Sequence, residues 1–266
     1  MIDYHVHTLF SGDSTATISE QLEAAARLGL EEICFTDHVD FDNPGANFAP
    51  ANLASRRYML REYGGSYEGV RIREGAEISM APFDECAAKT KAYLADFDAD
   101  FIIGSLHVVD GVDVYYPDYH RNKTQQTAYL KYVETILESL PRFDFISVLG
   151  HYDFVAKFAP YEDRRMRLDL SPLIRHAFTG VFKTLVSMGK GIEINTSAWR
   201  GEARWGLDVL KLYRALGGEF VTFGSDAHRS AVLGSRLDEA YELALEAGIP
   251  YYATFEKMQP TFRPIV

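Results

Sequence analysis

Short apolar runs alternate along the chain with longer stretches of helical period. The runs over 2–6, 33–36, 70–76, 101–104, 145–149, 191–194 and 220–223 predict seven strands. Between and after them, 17–28, 51–63, 83–94, 124–140, 173–188, 207–216 and 237–247 predict seven helices. In the first helix Ile18, Leu22, Ala25 and Ala26 share a face, and Gly29 marks its stop. Residues 251–254 are left over as one more short strand. Repeated strand–helix units imply a mostly parallel sheet covered by helices, in an open doubly wound form or as a barrel.

The polar residues favour the barrel. A His or an acid follows six of the seven strands directly or within three residues: His5 and His7, Asp37–His38, Glu77, His107, His151, and Asp226 with His228. In a barrel all strand ends converge on one mouth, where catalytic groups gather. In an open sheet only those beside the switch point meet. The expectation is an α/β fold, a distorted (β/α)7 TIM-like barrel with seven strands.

Composition narrows the class. The chain has 266 residues, of which 47% are hydrophobic, with no Gly- or Pro-rich linker, so residues 1–266 read as one domain. Its formal charge of −11 disfavours nucleic acid and anionic membranes, but not a small phosphorylated molecule beside bound cations. No apolar run reaches the roughly 18 residues of a membrane span, and the N-terminus does not read as a signal peptide. Cys34 and Cys86 form no paired motif, so a reducing, cytoplasmic setting is expected.

The candidate chemistry is metal binding. His5 and His7, at i and i+2 on an extended chain, point to one side, and Asp226 and His228 repeat that spacing. Taken singly, each candidate has a bland reading: surface histidines, a surface acid at Glu77, a turn residue at Asp13 after Ser11–Gly12. Together they fall at one end of successive strands. Mixed imidazole and carboxylate donors suit Zn, Mn or Fe. There are too many donors for one tetrahedral ion, so a cluster of two or three is expected, with Glu77 or Asp226 as a bridge. Clustered ions serve displacement at phosphorus, where a hydroxide held between them attacks.

The segments DYHVHTLFSGDS, CFTDHVDF, REGAEIS, IIGSLHVV, VLGHYDFV, IEINTSAWR and FGSDAHR run in order from Asp3 to Arg229. As a set they resemble the polymerase-and-histidinol-phosphatase superfamily and, within it, the histidinol-phosphatase branch. The resemblance implies a (β/α)7 barrel with three divalent metal ions. One ion would lie on His5, His7, Glu77 and Asp226, a second on Glu77, His107 and His151, and a third on Asp13, His38 and His228. Asp13 stands where many relatives outside the phosphatase branch carry His. The implied reaction is hydrolysis of the phosphomonoester L-histidinol phosphate to L-histidinol and phosphate, with Asp226 orienting the nucleophile or taking its proton.

Arg200, Arg164 and Arg165 are the candidate phosphate-binding residues, because a guanidinium grips two phosphoryl oxygens at once. The bland reading of the last two is that they offset Glu162 and Asp163. Arg229 is expected to point away from the pocket. The stretch from Val114 to His120 is expected to form a loop over the mouth, with His120 and His176 as ordinary residues. Two alternatives stay open. One is a phosphoesterase for another small phosphomonoester or a nucleotide. The other is a non-catalytic metal-binding domain, which would be expected to lack ligand positions; here all are present.

Overall fold

The computed structural model describes residues 1–42, 49–199 and 206–266. In chain order the elements begin with β1 (Ile2–Val6), α1 (Ile18–Leu28), β2 (Glu32–Phe35), β3 (His38–Val39), α2 (Leu53–Leu60), β4 (Ser66–Tyr67), β5 (Val70–Ser79) and α3 (Asp84–Leu94). There follow β6 (Phe101–Ser105), β7 (Val108–Val109), β8 (Val112–Asp113), α4 (Pro117–His120), α5 (Gln125–Ser139), β9 (Val148–Leu149) and α6 (Pro172–Ser187). The last are β10 (Gly191–Asn195), α7 (Leu207–Ala215), β11 (Phe220–Gly224), α8 (Leu237–Glu246), β12 (Tyr251–Glu256) and β13 (Gln259–Pro264).

Local signals set the helix ends. Thr17 caps α1 through a reciprocal pair with Glu20, and Gly29 ends it at φ 67°. Thr124 and Ser171 cap α5 and α6, and Pro172 opens α6 at its first position.

The main sheet runs β1-β2-β5-β6-β9-β10-β11-β12-β13 and is parallel from β1 to β12. All residues of β1, β2, β6, β10 and β11 are buried, as strands covered on both faces must be. β1 also meets the segment that follows β11. His7 N donates to Ala227 O at 3.0 Å, just beyond β11, and Val6 bridges Ala227 in parallel. Asp3 adds a side-chain tie, accepting from Ser225 N at 3.0 Å and Ser225 Oγ at 2.5 Å.

The ten-residue β5 is the hinge of the sheet. Its first half pairs with β2 up to Phe35↔Glu74, and from Gly75 onward it pairs with β6 and with His38 of β3. Gly75 permits the crossing: a Cβ there would stand 2.7 Å from Phe101 O and 2.9 Å from Cys34 Sγ.

Two expectations need correction. The predicted strand over 145–149 is reduced to Val148–Leu149, because Ile146 N turns back to Phe143 O at 3.3 Å. The leftover strand over 251–254 is the first arm of a hairpin, since β12 pairs antiparallel with β13. Lys257 and Met258 make its turn at φ 48° and 63°.

Arg56, from α2, is fully buried against Asp37: Nη1 donates to Oδ2 at 2.9 Å while Nη2 donates to Gly75 O. Burial by itself would raise the Asp37 carboxyl, but Arg56 and the donors around it hold it below the usual carboxylate range. Arg56→Ala strands that charge and is expected to cost on the order of 3–5 kcal/mol of folding stability. The loss is read from the urea midpoint. A depressed carboxyl stabilises the fold above its ordinary pKa and ceases to as pH falls through the depressed value. The wild-type advantage over Arg56→Ala should therefore shrink in acid, and an advantage that grew in acid would contradict the pairing.

Candidate metal centre

Successive strand ends deliver polar residues to the same end of the sheet. His5 and His7 close β1, His38 opens β3, Glu77 lies near the end of β5, and His107 and His151 follow β6 and β9. Asp226 and His228 follow β11, and Asp13 comes from the loop after β1. The structure brings all nine together.

Glu77 stands at the centre. Its Oε2 lies 3.1 Å from His5 Nε2, 3.4 Å from His7 Nε2 and 3.0 Å from His38 Nδ1. Its Oε1 lies 2.7 Å from His151 Nε2 and 3.2 Å from His107 Nε2. Asp226 Oδ1 stands 3.3 Å from His7 Nε2 and 3.7 Å from His5 Nε2. Asp13 Oδ2 faces His228 Nε2 at 3.1 Å and His38 Nε2 at 3.6 Å.

Buried partners hold these rings. Glu193 of β10 binds His5 Nδ1 at 2.7 Å and accepts from His151 N at 2.9 Å. His7 Nδ1 lies 3.0 Å from Ser11 Oγ, which donates to Asp37 at 2.8 Å. Such contacts fix which nitrogen faces the centre. Gly224 makes room for Glu193: a Cβ there would collide with Glu193 Oε1 and stand 2.5 Å from His5 Cβ. Asp226 occupies the left-handed region at φ 55°, a costly conformation that surrounding structure must impose. Ser197 Oγ and Lys157 Nζ hold its Oδ2 at 2.8 and 3.0 Å.

A profile of the PHP domain matches residues 3–197. The chain belongs to the PHP domain family. Its relatives include the histidinol-phosphatase of Lactococcus lactis, 28% identical over 97% of this chain and 95% of that protein. A probable histidinol-phosphatase of Clostridium acetobutylicum is 28% identical over 92% of each. The crystal structure of histidinol phosphate phosphatase from L. lactis, complexed with zinc, L-histidinol and phosphate, superposes with a TM-score of 0.87. It covers 98% of both chains at 28% identity.

The donors of this PHP domain fit divalent cations. His5 Nε2, His7 Nε2, His38 Nδ1 and Glu77 Oε2 are buried without an aligned hydrogen-bond partner. They belong to three overlapping groups: His5–His7–Glu77, His38–Glu77–His107 and His7–His38–His228. The electrostatics agree. Burial depresses His5, but Glu193, Glu77 and Asp226 outweigh it and hold its pKa well above the ordinary value. Burial likewise opposes charge on His107, yet Glu77 and Asp40 push it up to about 10. His7 is driven down to about 3 by burial and by His228 and His38. Glu77, despite burial, sits well below its usual range because of His5, His38 and His107. Such a cluster demands positive charge that imidazoles supply only by protonation.

A cavity of about 590 Å³ opens over the centre. Tyr115 and Tyr116 line it, but the stretch from Val114 to His120 is only in part a loop, since Pro117–His120 form α4. Arg229 lines it too, contrary to the expectation that it points away. Arg164 and Arg165 are not among the lining residues: Arg164 Nη1 donates to Lys157 O at 2.6 Å, and Arg165 grips Asp163 through two bonds of 2.7 and 2.8 Å. Arg200 lies outside the described residues. His120 is buried between Tyr119 and Tyr161, and His176 is exposed on α6.

Glu193, Asp40, Lys157 and Arg236 also stand at or beside the site, outside the residues expected from the sequence. Only Glu193 carried a signal, as an acid between Ile192 and Ile194 in a buried strand. Its effect on metal binding is measurable without any assay of activity. Glu193→Gln is expected to weaken zinc binding about 10–100-fold, the usual scale for a partner of a ligand. Competition against a chelator measures it, and unchanged affinity would show that Glu193 does not hold His5 for a cation.

Proposed function

We propose that this chain is a metal-dependent histidinol-phosphatase that hydrolyses L-histidinol phosphate to L-histidinol and phosphate. The observation that carries the reading is one buried carboxylate, Glu77, faced by five imidazoles at the floor of a substrate-sized cavity. The relative that matches over nearly the whole chain has zinc, L-histidinol and phosphate bound.

Three divalent cations are assigned. His5, His7, Glu77 and Asp226 hold the first; Glu77, His107 and His151 the second; Asp13, His38 and His228 the third. Zinc, manganese and iron all suit these donors. Such ions make water nucleophilic near neutral pH and neutralise charge building on phosphoryl oxygens. Around them the chain supplies orientation. Lys157, Arg229 and Arg236 bring cationic groups to the cavity for the phosphate, with Arg200 as a further phosphate ligand. Asp226, steadied by Lys157 and Ser197, holds or takes the proton of the nucleophile. On another side, Asp40 and Asp113 stand with Tyr115 and Phe158, whose rings are 4.2 Å apart. They suit the cationic, imidazole-bearing end of the substrate.

The same reading covers the rest of the molecule. The contacts of β1 with Ala227 and Ser225 support a closed, distorted (β/α)7 barrel, a single domain over residues 1–266. No described helix is long and apolar enough to cross a membrane. A cytoplasmic enzyme acting on a small phosphomonoester, with neither nucleic acid nor membrane as partner, accords with the acidic charge of −11.

The decisive assay sets L-histidinol phosphate against other phosphomonoesters, nucleotides included, with metal content measured on the same sample. A nucleotide turned over faster than L-histidinol phosphate would overturn the substrate. Glu77→Ala should abolish turnover and lower metal content in a folded chain, whereas His38→Ala and His228→Ala should each lose one ion of three. Three ions retained by both of the latter would sink the third assignment.

The phosphate contacts are tested separately. Arg200→Lys keeps the charge but loses the guanidinium fork. Arg200→Ala should cost on the order of 2–4 kcal/mol in kcat/KM, the scale of a lost transition-state donor, with Arg200→Lys only partly restoring it. A loss below about threefold in both, well under that scale, would move the role to Lys157 and Arg229.

A further inference from the structure

The opposite end of the sheet carries a second cavity, of about 650 Å³. It lies where β6, β9, β10 and β11 begin, and the turn of the β12–β13 hairpin roofs it. Ile102, Phe145, Phe220 and Phe255 give it an apolar lining. The hairpin is pinned rather than loosely laid across. Lys257 N donates to Asp100 Oδ1 at 3.0 Å and Met258 N to Asp100 O at 2.9 Å. Both turn residues take the left-handed conformation that side chains disfavour. The hairpin side of the cavity is therefore held in place by hydrogen bonds to Asp100.

Its charge runs against the rest of the chain. Lys91, Lys190 and Lys257 line it, against one acid, Asp98. Lys91 is paired with Asp144 at 3.1 Å. Among the described residues no ion pair or hydrogen bond engages the ammonium groups of Lys190 and Lys257. Lys190 is partly buried, and burial lowers its pKa against the pull of Asp144. A partly buried ammonium without a direct ion pair, beside an apolar surface, favours an anion over water alone. The volume falls within the range of small-molecule sites.

We propose that this cavity is a second binding site, taking a small anionic amphipath whose apolar body fills the chamber while its anionic group meets Lys190 and Lys257. A medium-chain fatty acid and an aromatic carboxylate share that chemistry. The site is separate from the metal centre, and none of its residues is placed in the reaction.

The test uses the metal-loaded enzyme with saturating inorganic phosphate, so that anions are kept from the metal centre. The probe is 1-anilinonaphthalene-8-sulfonate, followed by fluorescence, then displaced with decanoate or phenylacetate. Wild type is expected to bind one equivalent saturably. The doubly substituted Lys190→Glu, Lys257→Glu chain should bind at least about tenfold more weakly, the effect of reversing the charges that meet the anion, with turnover unchanged as proof of its fold. Displacement by decanoate assigns an acyl ligand, and displacement by phenylacetate an aromatic one. Absence of saturable binding to wild type would overturn the site, as would an affinity in the double variant within twofold of wild type.

Discussion

A carboxylate has two oxygens, and those of the buried Glu77 are shared among five imidazoles at the floor of the cavity. Neither the acid nor the rings can be stable there alone, since uncompensated charge in the interior is costly. The surrounding fold is arranged to make that convergence possible. β5 must leave β2 and reach β6 so that Glu77 arrives between His38 and Ile103 in register. Only a glycine at position 75 lets the strands approach closely enough. β1 must lie against the end of β11, or Asp226 would not stand beside His7.

Outside the ligands lie two further buried acids that orient their rings. Glu193 braces His5 and the backbone of His151, while Asp37 braces His7 through Ser11 and is itself held by Arg56. Positions are thereby transmitted from a helix on the outside of the sheet to ring nitrogens at its mouth.

Much of this was legible in the sequence because strand periodicity and ligand chemistry reinforce each other. His5 and His7 two residues apart, and a His or acid after successive apolar runs, carry both the strand ends and the site. The expectations failed where backbone geometry departs from composition. Lys257 and Met258 form a turn that usually asks for Asn or Gly, so the hairpin carried no turn signal. Phe145 and Ile146 look like strand yet serve a turn. Lys157 was invisible for another reason: its approach to Asp226 is a tertiary contact across 69 residues, and no local pattern encodes it. Arg164 and Arg165 were the converse, drawn by their loop to Lys157 O and Asp163, away from the cavity.

Gly224 shows how far the site extends into positions with no chemistry of their own. The space a methyl group would fill is taken by the Glu193 carboxylate and the Cβ of His5. Any L-residue there would push Glu193 off its ring and release His5, so a change in bulk alone would appear as altered metal affinity. In a catalogue of inherited or laboratory variants, a lesion at 224 would look like a packing defect in a strand. Its biochemical signature would instead be that of a mutated ligand.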